Sequence, residues 1–358
     1  MKKITFLAII FISSINGFSQ TYSSPESLEF DYSNDRWLIS NKSANNILAR
    51  SSSTGDLTIF ASGISSPHGI EIANDTVYVC SGGSLRAFEL STGNSVFTIN
   101  LGASYLNGIT HDSTYLYITD FSAKNIYRFN MQTRDYSIFV PGLAKTPNGI
   151  IFDQANNRCV FVTWGSNAPI MAFYVTTGVV STLISTSLSN CDGIAIDGPG
   201  DFYVSSWGLN GITKFDQDFI APPVNVVTGL TSPADIFYNV LSDTLGVANS
   251  GSLSNTTYHF LGTTTGTNKI INSSAEFSVF PNPLRSSSEI RYTLNKKCIV
   301  KISIVSMSGE IIDVLVDNIF NAGIYNLSLL RKNLPAGNYL IDFNCDGHSQ
   351  SKKIVFLD

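Results

Sequence analysis

Apolar and polar residues alternate in short runs along most of the chain, with a period of two. Residues 115–119, which read Tyr-Leu-Tyr-Ile-Thr, are a typical run, and such alternation indicates a half-buried β-strand. No stretch sustains the 3.6-residue period over the three turns of an ordinary helix. The pattern therefore predicts an all-β protein built from many short strands.

A short phrase recurs six times, and a similar set of strands follows each copy. The copies are Pro25-Glu-Ser-Leu28, Pro67-His-Gly-Ile70, Leu106-Asn-Gly-Ile109, Pro147-Asn-Gly-Ile150, Cys191-Asp-Gly-Ile194 and Pro233-Ala-Asp-Ile236. Their third positions are residues 27, 69, 108, 149, 193 and 235, so the repeat length is 39–44 residues. Four short strands in a repeat of this length are typical of β-propeller blades; a parallel β-helix, the main alternative, has shorter rungs. We expect a six-bladed β-propeller over residues 20–262, with a weak last strand near Asn268–Ile271.

The two ends of the chain have patterns of their own. Residues 263–276 are rich in Gly, Thr, Asn and Ser, which is typical of a linker. Residues 277–358 return to alternating runs with Gly turns, which predicts a small β-sandwich of about seven strands. At the amino end, Lys2 and Lys3 precede the apolar run Ile4–Ile12, and small residues follow. We expect residues 1–19 to be a secretory signal peptide.

Composition excludes several classes of protein. Hydrophobic residues make up 43% of the chain and charged residues 14%, so a sizeable core can be buried and general disorder is excluded. There is no basic run, and acidic residues outnumber basic ones by 27 to 22, so no nucleic-acid partner is expected. The five cysteines are scattered, which argues against a disulfide framework; Cys298 with Cys345 is the one pairing left open. Beyond residue 19 no apolar run is long enough for a transmembrane helix.

One position of the recurring phrase carries polar side chains in five of the six repeats, and we call the residues at this position the polar column. The second position of the phrase reads Glu26, His68, Asn107, Asn148, Asp192 and Ala234. Innermost strands of a propeller converge on the central channel, so equivalent residues should meet around its axis. Two carboxylates and two carboxamides suit Ca²⁺, with Mg²⁺, Mn²⁺ or Zn²⁺ as alternatives. Asn and Asp before Gly are also ordinary turn residues, and a structural role stays open for each of them.

This ordered set resembles the calcium-dependent six-bladed propellers that include gluconolactonases (the SMP-30 or senescence marker protein family) and the paraoxonase lactonases. The resemblance implies that Glu26, Asn107, Asn148 and Asp192 hold a catalytic calcium. The Pro-His-Gly-Ile phrase of the second blade is similar to the one that carries the paraoxonase catalytic histidine, here His68. It further implies hydrolysis of a lactone or ester, in which Asp192 or His68 takes a proton from the attacking water.

Three positions depart from these families. Tyr105 replaces the substrate-binding arginine of gluconolactonases, Cys80-Ser-Gly-Gly83 stands where a second histidine is expected, and Ser27 replaces an acid at a structural calcium. The alternative is therefore a non-catalytic, NHL-like propeller that binds a carbohydrate, peptide or surface partner. Trp164 and Trp207 follow second strands, where they would either rim the channel or pack between blades.

The carboxyl-terminal region has a resemblance of its own. The opening Val279-Phe-Pro-Asn-Pro283, the turn Leu334-Pro-Ala-Gly-Asn-Tyr339 and the final Lys352-Lys-Ile-Val-Phe356 occur in order up to the last residues. They resemble the type A sorting domain of the type IX secretion system. The resemblance implies that the secretion machinery is a partner and that the protein, after crossing the periplasm, is secreted or held at the cell surface. An ordinary sandwich that contacts a carbohydrate or a partner is the alternative.

Overall fold

The computed structural model of the protein describes residues 20–262, 275–284, 287–294, 297–306, 311–321, 323–331, 334–345 and 348–357. The chain forms two compact units, Met1–Thr264 and Thr265–Asp358. The predicted signal peptide, most of the predicted linker and the weak strand near Asn268–Ile271 lie outside the described residues.

The first unit is a β-propeller of six antiparallel sheets, as the repeat predicts. In each sheet, consecutive strands pair in order. Blades 1 to 3 contain β1 (Pro25–Asp31), β2 (Arg36–Asn41), β3 (Asn46–Ser51), β4 (Leu57–Ser62), β5 (Pro67–Ala73), β6 (Thr76–Ser81), β7 (Ser84–Glu89), β8 (Ser95–Asn100), β9 (Leu106–His111), β10 (Tyr115–Asp120), β11 (Asn125–Asn130) and β12 (Tyr136–Val140). Single-turn 3₁₀ helices, Lys42–Ala44 and Gln154–Asn156, follow the second strand of blade 1 and the first strand of blade 4.

The remaining blades repeat this plan. Blades 4 to 6 contain β13 (Thr146–Asp153), β14 (Arg158–Trp164), β15 (Ile170–Tyr174), β16 (Val180–Ile184), β17 (Cys191–Ile196), β18 (Phe202–Ser206), β19 (Gly211–Phe215), β20 (Val224–Thr228), β21 (Pro233–Asn239), β22 (Thr244–Asn249) and β23 (Asn255–Phe260). The described part of blade 6 therefore has three strands, whereas each of the other blades has four.

The first strand of each blade is the innermost, and these strands form a closed ring. Neighbouring inner strands contact one another around the axis, and β21 returns to β1. Each inner strand also packs against the second strand of the preceding blade. Blades 1 and 6 meet by packing and by hydrogen bonds; the Ser24 backbone N–H, for example, donates to Ser254 Oγ over 2.7 Å.

The hydrophobic core of the propeller lies between neighbouring blades. Leu38 and Ile47 of blade 1, for instance, are fully buried against Val77 and Val79 of blade 2. The second strand of a blade is buried along most of its length, because it faces a neighbouring sheet on both sides. This packing fixes the inner ends of the blades, which carry the polar column.

The second unit is a β-sandwich, as predicted. One sheet has the order β24-β25-β28 and the other β27-β26-β29-β30. The strands are β24 (Ala275–Phe280), β25 (Ser287–Leu294), β26 (Cys298–Ser306), β27 (Ile311–Phe320), β28 (Gly323–Leu330), β29 (Gly337–Cys345) and β30 (His348–Phe356). Their inward residues form one core that includes Cys298 and Cys345. No helix in the described parts of the chain is long and apolar enough to span a membrane.

Candidate functional site at the mouth of the propeller channel

A β-bulge lies at the start of every inner strand. Pairing of β1 with β2 is interrupted between Pro25 and Ser27, and equivalent interruptions occur at the recurring phrase in the other five blades. A bulge takes one residue out of the ladder and re-aims its side chain. The second position of the phrase lies in every interruption, together with the third position in five of the blades, so the bulges re-aim the side chains of the polar column.

Hydroxyl groups on the second strands hold these bulges in place. Thr119 Oγ1 accepts from the Gly108 backbone N–H and donates to the Asn148 carbonyl of the next blade, both over 2.8 Å. Ser205 Oγ does the same between the Gly193 N–H and the Ala234 carbonyl. Each hydroxyl thus satisfies backbone groups that the bulge removes from the ladder and ties one blade to the next.

The third position of the phrase lets the inner strands approach closely. A Cβ on Gly149 would lie 2.4 Å from the Asp192 carbonyl oxygen, and one on Gly108 would lie 2.5 Å from that of Asn148. Only glycine fits such a distance without moving the neighbouring backbone. Glycine at the third position of the phrase therefore allows neighbouring inner strands to pack closely. The Asn-Gly and Asp-Gly pairs thus contribute to the ring of inner strands as well as to local turns.

Five of the predicted site residues meet at one cavity of about 270 Å³ at the channel mouth. Its walls include Glu26, His68, Asn107, Asn148 and Asp192. Ala234, the sixth member of the column, offers no polar group. The structure thus brings together every residue for which a catalytic or metal-binding role is predicted.

Glu26 is engaged by two groups that the repeat did not point to. Lys42 Nζ lies 2.7 Å from Glu26 Oε1, and Ser250 Oγ donates to the same oxygen over 2.8 Å. Lys42 begins a 3₁₀ turn, and its backbone N–H donates to the Ser24 carbonyl, which places it beside the first bulge. Burial tends to lower the pKa of Lys42, but the charge of Glu26 and the hydrogen bond to it outweigh burial and raise that pKa.

Asp192 and Asn148 bring a buried carboxylate and a buried carboxamide oxygen to this cavity. Burial, together with the charge of Glu26, raises the pKa of Asp192 well above its ordinary value. The Trp207 indole N–H opposes the rise, although it makes no hydrogen bond of good geometry. Asn148 donates through Nδ2 to the Cys191 carbonyl over 3.2 Å, whereas its Oδ1 is buried and has no partner. Both side chains would be stabilised by a cation.

His68 is paired with Tyr105 of the neighbouring blade. Its Nδ1 lies 2.8 Å from the Ser66 carbonyl and therefore carries the proton, which leaves Nε2 to accept from the Tyr105 hydroxyl. Burial lowers the pKa of His68 and raises that of Tyr105. At neutral pH the pair is therefore a neutral imidazole and a protonated phenol.

Aromatic rings form one side of the cavity mouth. Phe121, Trp164 and Trp207 stand at equivalent positions, directly after or at the end of the second strands of blades 3, 4 and 5. Phe121 packs edge-to-face on Trp164 at 5.9 Å, and Trp164 on Trp207 at 5.3 Å. We call these three residues the aromatic arc. The structure shows both roles that were open for the tryptophans: they line the cavity, and their rings pack between neighbouring blades.

The residues at the mouth fit a hard divalent cation. Four side chains supply oxygen, one of these oxygens is buried without a partner, and a buried carboxylate has a raised pKa that a cation would relieve; such oxygen-rich sets suit Ca²⁺. In the described part of the chain, no three His, Cys, Asp or Glu side chains are grouped to hold a metal by themselves. Any ion at this site would therefore depend on Asn107 and Asn148 as well.

The second unit matches a known family. Residues 278–357 match the family described as the secretion system C-terminal sorting domain. This confirms the resemblance of the carboxyl-terminal region to a type IX sorting domain and indicates a secreted or cell-surface protein. No curated protein matches the chain.

Solved structures with a similar fold support the propeller. The gluconolactonase XC5397 from Xanthomonas campestris is 14% identical, with a TM-score of 0.57 over 64% of this chain and 84% of its own. Regucalcin, a calcium-binding protein from Agrobacterium tumefaciens, is 17% identical, with a TM-score of 0.53 over 64% and 83%. Virginiamycin B lyase from Staphylococcus aureus is 15% identical, with a TM-score of 0.51 over 67% and 85%. At such identities the similarity concerns the fold alone.

Proposed function

We propose that this protein is an exported propeller that binds a divalent cation, Ca²⁺ first, at its channel mouth and hydrolyses a lactone or ester there. The observation that carries the proposal is the meeting of two carboxylates and two carboxamides around one cavity, with Asn148 Oδ1 buried and unpartnered. The fold that the protein shares with a gluconolactonase and with a calcium-binding regucalcin adds support.

Glu26, Asn107, Asn148 and Asp192 would hold the ion. Bound there, a divalent cation supplies Lewis-acid polarisation of a carbonyl oxygen. The two carboxylates would then share a positive charge instead of repelling each other in a buried site. The bulges and the hydroxyl bridges keep the four donors in place before the ion arrives, which lowers the ordering cost of binding.

His68 and Tyr105 would handle the proton of the attacking water. The imidazole Nε2 accepts a hydrogen bond from the Tyr105 hydroxyl. When the attacking water gives a proton to Tyr105 Oη, Tyr105 can give its own hydroxyl proton to His68 Nε2. The lowered pKa of His68 keeps the imidazole neutral and able to accept at pH 7. In this arrangement His68 acts as the general base and Tyr105 relays the proton.

Metal analysis of the purified mature protein, followed by calorimetry, tests the ion. We expect the wild type to bind Ca²⁺, and we expect Asp192→Asn to bind at least ~100-fold more weakly, because one of two charged ligands is lost. Asp75→Asn is the matched control, since it removes a carboxylate from an exposed turn outside the cavity. Equal affinity in the wild type and Asp192→Asn would contradict the proposed site.

A panel of lactones and esters, assayed with and without chelator, tests the chemistry. We expect turnover that chelation abolishes and that His68→Gln lowers by about 10²-fold or more, the usual contribution of a general base, while Ca²⁺ affinity is unchanged. Full activity of His68→Gln would remove the histidine from the reaction.

The Lys42–Glu26 ion pair favours a second candidate. A lysine that neutralises Glu26 would let the cavity bind a carbohydrate or peptide without a metal, as in a non-catalytic propeller. That candidate predicts a protein free of bound metal, a melting temperature that chelator does not change, and no turnover on the panel. The same two experiments therefore separate the candidates.

A further inference from the structure

Lys42 stands in a column that is aromatic in three other blades. It lies three residues after Ile39, which pairs with Leu28 of the recurring phrase. Phe121, Trp164 and Trp207 lie three residues after the corresponding residues of their own second strands. Blade 1 therefore places a cation at the mouth of the channel where blades 3 to 5 place rings.

The Lys42 ammonium and a metal ion would compete for the same carboxylate. Lys42 Nζ is 2.7 Å from Glu26 Oε1 and its side chain remains about a third exposed (34%), whereas that of Glu26 is buried (9%). An ion bound by Glu26 would repel an ammonium at that distance. Because the lysine stem is long, flexible and half-buried, it can leave Glu26 without disturbing the inner strands.

The charge of the cavity changes sign when this exchange occurs. Glu26, Asp192 and Lys42 are the lining residues that carry formal charges when they ionise, and with both carboxylates ionised the three give −1. With a divalent ion the same set carries +1, and Lys42 has lost its partner. The cavity therefore attracts an anion when the ion is bound and does not attract one without it.

We infer that Lys42 is a tethered competitor of the metal ion and, once displaced, binds the anionic group of a ring-bearing ligand whose ring packs on the aromatic arc. This assignment rests on the proposed cation site and specifies its substrate class as anionic and cyclic. Blades 3 to 5 supply the ring contacts and blade 1 the positive charge, from different sides of one cavity. A flat ring offers the arc both apolar area and ring edges to pack against.

Calorimetry of Lys42→Met tests the competition without an activity assay. We expect Ca²⁺ to bind this variant about tenfold more tightly than the wild type, because no ammonium has to be displaced. Lys145→Met is the matched control, since Lys145 is an exposed lysine of the same domain that does not line the cavity. Lys42→Arg keeps the positive charge and should retain the weaker affinity of the wild type. This variant also provides the comparison if Lys42→Met does not fold.

The fluorescence of Trp164 and Trp207 then reports ligand binding at saturating Ca²⁺. Benzoate and benzamide share a ring and differ in charge. We expect benzoate to bind the wild type about tenfold more tightly than benzamide, and we expect Lys42→Met and removal of Ca²⁺ each to abolish the difference. Acetate, which has the charge without the ring, should bind more weakly than benzoate.

The outcomes separate this inference from the proposed function. A wild type that binds no Ca²⁺ would overturn both. Ca²⁺ binding of equal affinity in the wild type and Lys42→Met would overturn the competition alone. Failure of benzoate to bind the Ca²⁺-loaded wild type, or to bind it better than benzamide, would overturn the assigned ligand class and leave the cation site standing.

Discussion

At the scale of single residues, Ser27 and Asp235 are the two exceptions to glycine at the third position of the phrase. Asp235 occupies that position in blade 6, and Ser27 occupies it in blade 1; the Ser27 hydroxyl donates to Asp235 Oδ2 over 2.7 Å. Burial raises the pKa of Asp235 to about 7, while the hydrogen bonds from Ser27 and from the Ile236 backbone N–H limit the rise. The junction between the first and last blades therefore contains an acid that holds its proton near neutral pH.

Asp235→Asn should remove part of the pH dependence of stability. An acid whose pKa in the folded state exceeds its unfolded value of about 3.9 binds protons more tightly when folded, so the free energy of unfolding falls as pH rises through that interval and levels off above about pH 7. Between pH 5 and pH 8 the free energy of unfolding of the wild type should fall by about 2–3 kcal/mol more than that of Asp235→Asn. Urea denaturation at both pH values measures the difference.

The exposed Asp75 supplies the control for this prediction. Asp75→Asn removes one carboxylate from a turn and should leave the pH dependence of the wild type intact. Glu29, whose pKa is also raised, chiefly by burial and then by the charge of Glu71, remains in both variants and keeps some pH dependence in each. Parallel pH profiles for the wild type and Asp235→Asn would show that Asp235 ionises normally in the folded protein.

The sequence could predict the residues of one column but not the contacts between columns. Glu26, Asn148 and Asp192 repeat at one position of the phrase, so a propeller must bring them to one ring. Lys42 and Tyr105 belong to other columns, and a period alone does not tell how far a side chain reaches across blades. The Lys42–Glu26 and Tyr105–His68 pairs therefore emerged only from the structure.

At the scale of elements, the inner strands are packed more tightly than alternation indicates. A Cβ at position 149 would lie 2.4 Å from the Asp192 carbonyl oxygen and 2.9 Å from Gly193 Cα. Both neighbours are backbone atoms, which cannot swing aside as a side chain would. Strand β13 can accommodate a methyl group here only if β17 moves outward.

Gly149→Ala should therefore destabilise the propeller by about 3 kcal/mol, as expected for overpacking against a rigid neighbour. Gly198→Ala is the matched control, because the nearest atom to its Cβ would be Val240 Cγ2 at 3.9 Å, and it should change stability by less than about 0.5 kcal/mol. Guanidinium denaturation measures both. Equal stabilities of the two variants would mean that the inner strands are not in such close contact.

Strand order was predictable, whereas the bulges were not. The second strands of blades 1 and 2, Arg36–Asn41 and Thr76–Ser81, lie directly after the inner strands, as the order of runs in each repeat predicts. Alternation marks which residues are buried, but it does not mark where ladder hydrogen bonds end. The bulges at the phrase depend on hydroxyls such as Thr119 Oγ1, which lie in another strand and interact through space.

At the scale of the whole molecule, the chain combines two compact units. The propeller closes by packing and hydrogen bonds between blades 1 and 6, and the polar column depends on that closure because its members come from five blades. The sandwich has a core of its own and matches a sorting domain over residues 278–357. The repeat and the tail motifs made this division accessible from the sequence, since the two kinds of pattern do not overlap.

Deleting residues 277–358 should leave a folded propeller that stays in the periplasm. The two units form separate compact bodies, so the truncated chain keeps its inner ring and its cavity, and Ca²⁺ affinity should equal that of the full chain. Fractionation of cells that have the secretion system, followed by immunoblotting of medium, surface and periplasm, measures the location.

The surface variant Lys145→Met, with its tail intact, should leave the periplasm normally, and residues 277–358 fused to an unrelated exported protein should carry that protein out. Truncated protein in the medium or at the surface in the amount found for the full chain would show that another part of the molecule directs its export.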